Sequence, residues 1–180
     1  MNIWLKTGGL LAAVWLIAAI VIHFARASQP TAASVTAYEH SLDLDALQGD
    51  ARARAIKRME DMINQISFDE RQQLNHDRVT RDFFDKLTAD EQDAYLDATL
   101  PTGFAQLMDS FNKMDPVKRK QIVHDALARM KDQQGQGPPP EMEQHVINEG
   151  LKSYYKDANA DVKLDLAPLV EQMQRNLEYR

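Results

Sequence analysis

The 180-residue chain has no cysteine. That excludes disulfides, thiolate metal sites and a cysteine nucleophile together. Glycine is scarce, and no glycine-rich loop is present that would cradle a phosphate. No serine or threonine stands in a nucleophile motif. The five histidines, His23, His40, His76, His124 and His145, never stand three or four residues apart, so no helix offers a ready metal pair. Acidic residues are absent before Glu39, and strand-like alternation is confined to brief, acidic runs at Leu42–Leu47 and Val162–Leu166. These absences predict no enzyme, no cofactor, no metal site and no sheet.

One segment lacks charge altogether. Thr7 to Ala25, TGGLLAAVWLIAAIVIHFA, holds 19 residues and no formally charged side chain. As a helix it would span about 28 Å, close to the hydrocarbon thickness of a bilayer. Lys6 and the amino terminus precede it, Trp4 sits at an interfacial position, and Arg26 follows. The sequence therefore predicts a single-pass anchor over residues 1–27, with its N-terminus cytoplasmic and the rest extracytoplasmic, which is periplasmic in a Gram-negative cell. Ala25-Arg26-Ala27 also fits a small-x-small cleavage site that would free Ser28. The apolar run exceeds a usual signal core, and Arg26 falls inside that site, so the anchor is preferred. Either reading exports the domain.

On a helical wheel of about 100° per residue, Gly8, Gly9, Ala12, Ala13 and Ala19 share one half of the anchor. Gly8 with Ala12, and Gly9 with Ala13, are small residues four apart, the spacing at which two membrane helices approach closely. That face is the expected contact with a membrane-protein partner or with a second copy. The remaining chain carries 19 basic against 27 acidic residues, a net of −8. Such a charge disfavours nucleic acid and anionic membrane surfaces as partners.

Residues 28–37 are small and polar, with Pro30, and read as a linker. From Tyr38 to Arg180 the pattern is helical throughout, predicting an all-α domain of about seven short helices. Leu42, Leu44 and Leu47 suggest a first short one. Asp50 then caps a helix with Ile56, Met59, Ile63 and Ile66 on one stripe. Ser67-Phe68-Asp69-Glu70 is a capping box, opening a helix that runs towards Leu87 or restarts at Asn75. Leu74, Val79, Phe83, Phe84 and Leu87 are its core candidates.

Thr88-Ala89-Asp90-Glu91 repeats the box, and Pro101 is expected to end that helix after Tyr95, Leu96 and Leu100. A new helix then turns Phe104, Leu107, Met108, Phe111 and Met114 inward. Asp115-Pro116 caps the next, with Val117, Ile122, Val123, Ala126, Leu127 and Met130 at helical spacing. The run at 133–140, QQGQGPPP, reads as a hinge before a two-helix tail. Met142, Val146, Leu151 and Tyr154 or Tyr155 face inward on the first of these. Pro168 suits the first turn of the second, which continues with Leu169, Val170, Met173 and Leu177.

Three helix starts resemble one another: Ile66 to Arg71, Leu87 to Gln92 and Met114 to Arg119. Their caps, at 67, 88 and 115, are unevenly spaced, which speaks for a reused hydrophobic staple rather than a repeat array. Leu87-Thr88 with Gln92 also resembles, over five or six residues, the LTxxQ motif of small exported helical stress proteins, with the glutamine one place late. The alternative function is that of an exported helical chaperone-like or metal-sensing stress protein.

Among side chains with chemistry to offer, His76-Asp77 and His124-Asp125 are able to meet across helices only if the fold brings them together. Asp90, Glu91 and Asp93 suit a helix's first turn, where negative charge offsets its dipole. The eight methionines read as core filler rather than soft copper ligands. Lys118-Arg119-Lys120, with Arg129 and Lys131, is either a solvated face or a site for an acidic partner. The expected role is a membrane-anchored scaffold or interaction domain. A reporter active only outside the cytoplasm, fused after Arg180, is expected to be active; activity of a cytoplasm-only reporter in its place would reverse the orientation.

Overall fold

Helix ends, more than apolar periodicity, decide where this chain turns. The computed structural model describes residues 29–132 and 139–178. Among them are eight helices and no strand: α1 (Ala32–Ser41), α2 (Gly49–Gln65), α3 (Phe68–His76), α4 (Val79–Phe84), α5 (Ala89–Lys113), α6 (Pro116–Asp132), α7 (Pro140–Asp157) and α8 (Ala160–Glu178). The all-α reading holds. The anchor at residues 1–27 and most of the 133–140 hinge lie outside the described residues. Among the described residues no helix is long and apolar enough to cross a membrane.

The caps expected at Ser67 and Thr88 are both complete boxes. Asp115 Oδ1 accepts from the backbone N–H of Val117 at 2.9 Å and of Lys118 at 3.2 Å. Asn159 caps α8 by accepting from Val162 N at 2.9 Å. A further box was not foreseen. Thr31 and Ser34 cap α1, which occupies residues read as linker, and Ala32 and Val35 of that helix are buried. Small residues and one proline resemble a linker in composition. Here the proline precedes a cap, and the small side chains let the helix pack closely.

The same device recurs at five helix starts. The residue four past the cap sends its side chain back to the carbonyl eight residues earlier. Arg52 Nη1 donates to Leu44 O at 2.6 Å, Arg71 Nη2 to Ile63 O at 2.6 Å and Gln92 Nε2 to Phe84 O at 3.1 Å. Arg119 Nη1 donates to Phe111 O at 3.1 Å and Lys163 Nζ to Tyr155 O at 2.8 Å. Four of these carbonyls belong to the last turn of the preceding helix, where no intrahelical N–H reaches them. A cation there also meets the negative end of the helix dipole.

Several expected boundaries move. Asp50 is not the cap of α2, because the helix already starts at Gly49, whose φ of +52° suits glycine. The stretch from Ser67 to Leu87 splits into α3 and α4 at Arg78, a non-glycine residue with φ of +62°. Pro101 does not end its helix, and α5 runs 25 residues through it. An interior proline costs about 3 kcal/mol. Pro101 lies on the exposed side, and an unbroken inward face (Tyr95, Thr99, Met108, Phe111) offsets that cost by burial on both sides of it. Pro168 likewise lies inside α8, exposed, between buried Leu166 and half-buried Leu169 and Val170.

Two apolar cores share α5. The first collects Val35, Leu44, Met59, Ile63, Ile66, Leu74, Phe83 and Tyr95 from α1–α5. The second joins Met108 and Phe111 of α5 to Val123, Tyr154, Val162 and Leu166 of α6–α8. Helix α7 lies along α5 in the same direction: His145 meets Asp97, Gly150 meets Phe104, and Asn112 Nδ2 donates to Asp157 O. Tyr155 points outward, and Ile147 replaces it in the inward set of α7.

Helix α6 turns Val123, Ala126, Leu127 and Met130 inward as expected, but not all of its stripe. Val117 is 76% exposed and Ile122 also faces water, whereas Arg119 is only 3% exposed. Arg119 Nη2 lies 2.7 Å from Asp165 Oδ2, tying α6 to α8. Breaking so buried a pair leaves Asp165 short of its main partner, so Arg119→Leu should destabilise the fold by about 3 kcal/mol or more. Lys118→Ala, on the exposed side of the same helix, should change little. Urea unfolding of both variants checks this, and equal effects would remove Arg119 from its assigned place.

At the first core, Arg52 Nε meets Glu91 Oε1 at 2.7 Å. That hydrogen bond, then the Thr88 box, outweigh burial and hold the Glu91 carboxyl down to about 2, against an ordinary 4.5. A lowered folded value stabilises the fold fully above the unfolded value and is lost as pH falls through the folded one. The melting-temperature gap between the native chain and Glu91→Gln should therefore be constant near neutrality and close between about pH 4.5 and 2. A gap that persists unchanged at pH 2 would show that Glu91 is not held in this way.

Candidate functional site

A cleft of about 590 Å³ opens between α3, α4, α5 and the start of α7. Its walls are mostly apolar: Phe68 of α3, Phe84 of α4, Leu96, Leu100, Phe104 and Leu107 of α5, and Met142 of α7. These α5 residues lie around Pro101, where the first core hands over to the second. They are half-buried, not buried, because α7 covers only the side of α5 that Gly150 lets it approach. A side chain at Gly150 would place its Cβ 3.2 Å from the Phe104 ring.

Exposed Gln72, Asn75 and Arg81 are among the polar residues of its lining, and two less exposed polar groups, Arg71 and Tyr95, reach it with donors that no acceptor among the described residues meets. Arg71 follows the Ser67 box, and its clasp to Ile63 O fixes one end of the guanidinium. Gln106 fixes another: its Oε1 accepts from Arg71 Nε at 3.1 Å, while its Nε2 donates to Ile66 O at 2.9 Å. Nη1 has no acceptor among the described residues, and no carboxylate there forms an ion pair with Arg71. Gly103 leaves room for it, since a Cβ at that position would lie 3.3 Å from Nη1. Burial lowers the affinity of this guanidinium for its proton, but an arginine side chain stays charged at any physiological pH.

Tyr95 is the second polar group. Its ring lies against Phe83 and Phe84, with centroids 5.7 and 6.0 Å away. Its hydroxyl has no hydrogen-bond partner among the described residues. Burial raises the phenol well above its ordinary value, and nearby Arg71 opposes that shift. It therefore remains a neutral O–H donor. Thr99, one turn on, is satisfied by donating to Tyr95 O at 2.7 Å. The cleft thus offers a fixed cation and a neutral donor in apolar surroundings, an arrangement suited to holding an anion rather than to proton transfer.

The residues singled out in the sequence are placed elsewhere. Gly8, Gly9, Ala12, Ala13 and Ala19 lie outside the described residues. The Lys118–Lys120 run is not a free basic patch: Arg119 is buried against Asp165, and Lys120 Nζ stands 3.8 Å from the same carboxylate. Glu91 belongs to its box and to Arg52. His76 and Asp77 are both exposed, and His124 lies 3.5 Å from its own neighbour Asp125. The histidine contact that does cross helices is His145 Nε2 to Asp97 Oδ1, at 3.2 Å. Among the described residues no group of three or more His, Asp or Glu is placed to hold a metal ion.

Arg71 was visible in the sequence only as the end of a repeated helix start. Nothing local says that Tyr95 would join it, because the meeting depends on how α3 crosses α5. No protein-family model matches the chain, and neither a curated protein nor a solved structure matches it.

Proposed function

We propose that the chain is a single-pass membrane-anchored protein whose extracytoplasmic helical domain has a scaffold or interaction role towards a membrane partner. The observation that carries the interaction role is the cleft beside α5, an apolar space with two unpartnered donors in a domain where Arg52, Lys86 and Arg119 each meet a carboxylate. The uncharged run from Thr7 to Ala25 supports the anchor, and its small-residue face supports lateral contact within the bilayer. The acidic domain and the absence of catalytic motifs fit binding better than turnover. An exported chaperone-like protein is the alternative. It shares the cleft but not the need for a fixed partner, and suppression of aggregation by the pure protein would favour it.

Purification of the full-length protein from membranes in mild detergent tests this. A stoichiometric membrane partner should accompany it. Gly9→Ile with Ala13→Ile should release the partner while leaving the protein in the membrane, and Leu10→Ala with Val14→Ala should do much less. Leu100→Trp, which fills the cleft, should also weaken the complex. Recovery of a lone domain beginning at Ser28 would overturn the anchored reading.

A further inference from the structure

We propose that the cleft beside α5 is a site for a long-chain carboxylate, with the acid head on Arg71 Nη1 and the Tyr95 hydroxyl and the alkyl chain along Leu100 and Phe104. This rests on the reading of the cleft as the binding site and names its occupant. About 590 Å³ is within the range of small-molecule pockets. It is lined by aromatic and aliphatic side chains, and an alkyl chain gains by leaving water for such a lining.

The charge is the more specific observation. A half-buried arginine normally meets a carboxylate, as Arg52 meets Glu91 and Arg119 meets Asp165. Arg71 meets only a carbonyl and an amide oxygen. Its remaining N–H groups at Nη1 are those that a carboxylate oxygen would accept from, and the neutral phenol of Tyr95 in the same cleft supplies a further donor. A neutral ligand would leave the guanidinium without a counter-charge. Binding is a matter of position and charge alone: no bond is made or broken, and no proton moves.

The full-length protein, held in amphipol, is titrated with decanoate labelled with carbon-13 at its carboxyl carbon, and separately with decanol. Decanoate should give one saturable, displaced carboxyl resonance and should bind more tightly than decanol. Arg71→Gln should weaken decanoate by about tenfold or more, the loss expected of a charge-assisted hydrogen bond, and leave decanol unchanged. Tyr95→Phe should weaken decanoate by a smaller factor. If Arg71→Gln fails to fold, Leu100→Trp carries the test, because it keeps both donors and should exclude decanoate and decanol together.

Equal affinity of the native chain and Arg71→Gln for decanoate overturns the proposal. So does a preference for decanol, or saturable binding of a peptide's free C-terminal carboxylate where decanoate shows none. If decanoate does not bind while Leu100→Trp still releases the membrane partner, the long-chain carboxylate is wrong and the cleft as a binding site stands. If Leu100→Trp affects neither partner nor decanoate, the cleft itself is not the site.

Discussion

The side-chain clasp from one helix start to the carbonyl eight residues behind it is the interaction on which the remaining packing depends. A helix that ends against another leaves its last carbonyls without donors. In this chain the next helix supplies one, from a fixed position in its second turn. Three of the donors are then anchored a second time: Arg52 by Glu91, Arg71 by Gln106 and Arg119 by Asp165. The clasps of Arg71 and Arg119 therefore tie two successive helices to each other and to a third, α5 and α8 respectively. Hydrogen bonds to charged groups contribute about 1.5–3 kcal/mol each, so a few of them are comparable with the net stability of a small domain.

Much of this was legible locally. The boxes at Ser67 and Thr88 and the cap at Asp115 are set by neighbours three or four residues apart, and they fall where the sequence puts them. The stripe Ile56, Met59, Ile63, Ile66 is buried as its spacing requires. What was not legible is whatever one part of the chain decides for another. Pro101 and Pro168 are helix breakers by local rule, yet packing on either side carries each helix through. Val117 is apolar and stands outside, while Arg119 is charged and stands inside, because Asp165 lies far along the chain. The cleft belongs to the same class. Its apolar positions were assigned to the core one by one, and only the course of α7 leaves them short of full burial.

The two cores explain why the cleft is where it is. Helix α5 serves both, and α7 reaches along it from the second core towards the first. Neither core covers the middle of α5, where Leu100 and Phe104 lie and where Gly103 leaves room for Arg71. Small side chains on both facing helices, Gly103 and Gly150, hold the seam open on one side and close on the other. The fold thus places a half-buried arginine that meets no carboxylate among the described residues at the junction of its two halves.

The clasps also bear on how the chain comes together in time. Each joins groups eight residues apart, so closing it costs little loop entropy. A new helix needs only its own second turn to lock onto the helix that emerged just before it. The first core can therefore be assembled in order, α1 to α5, as the chain is made, without waiting for α7 and α8. The pairing of α7 with α5 joins groups more than 40 residues apart, and contacts of that kind form slowly. The docking of α7 along α5 is also what shapes the cleft.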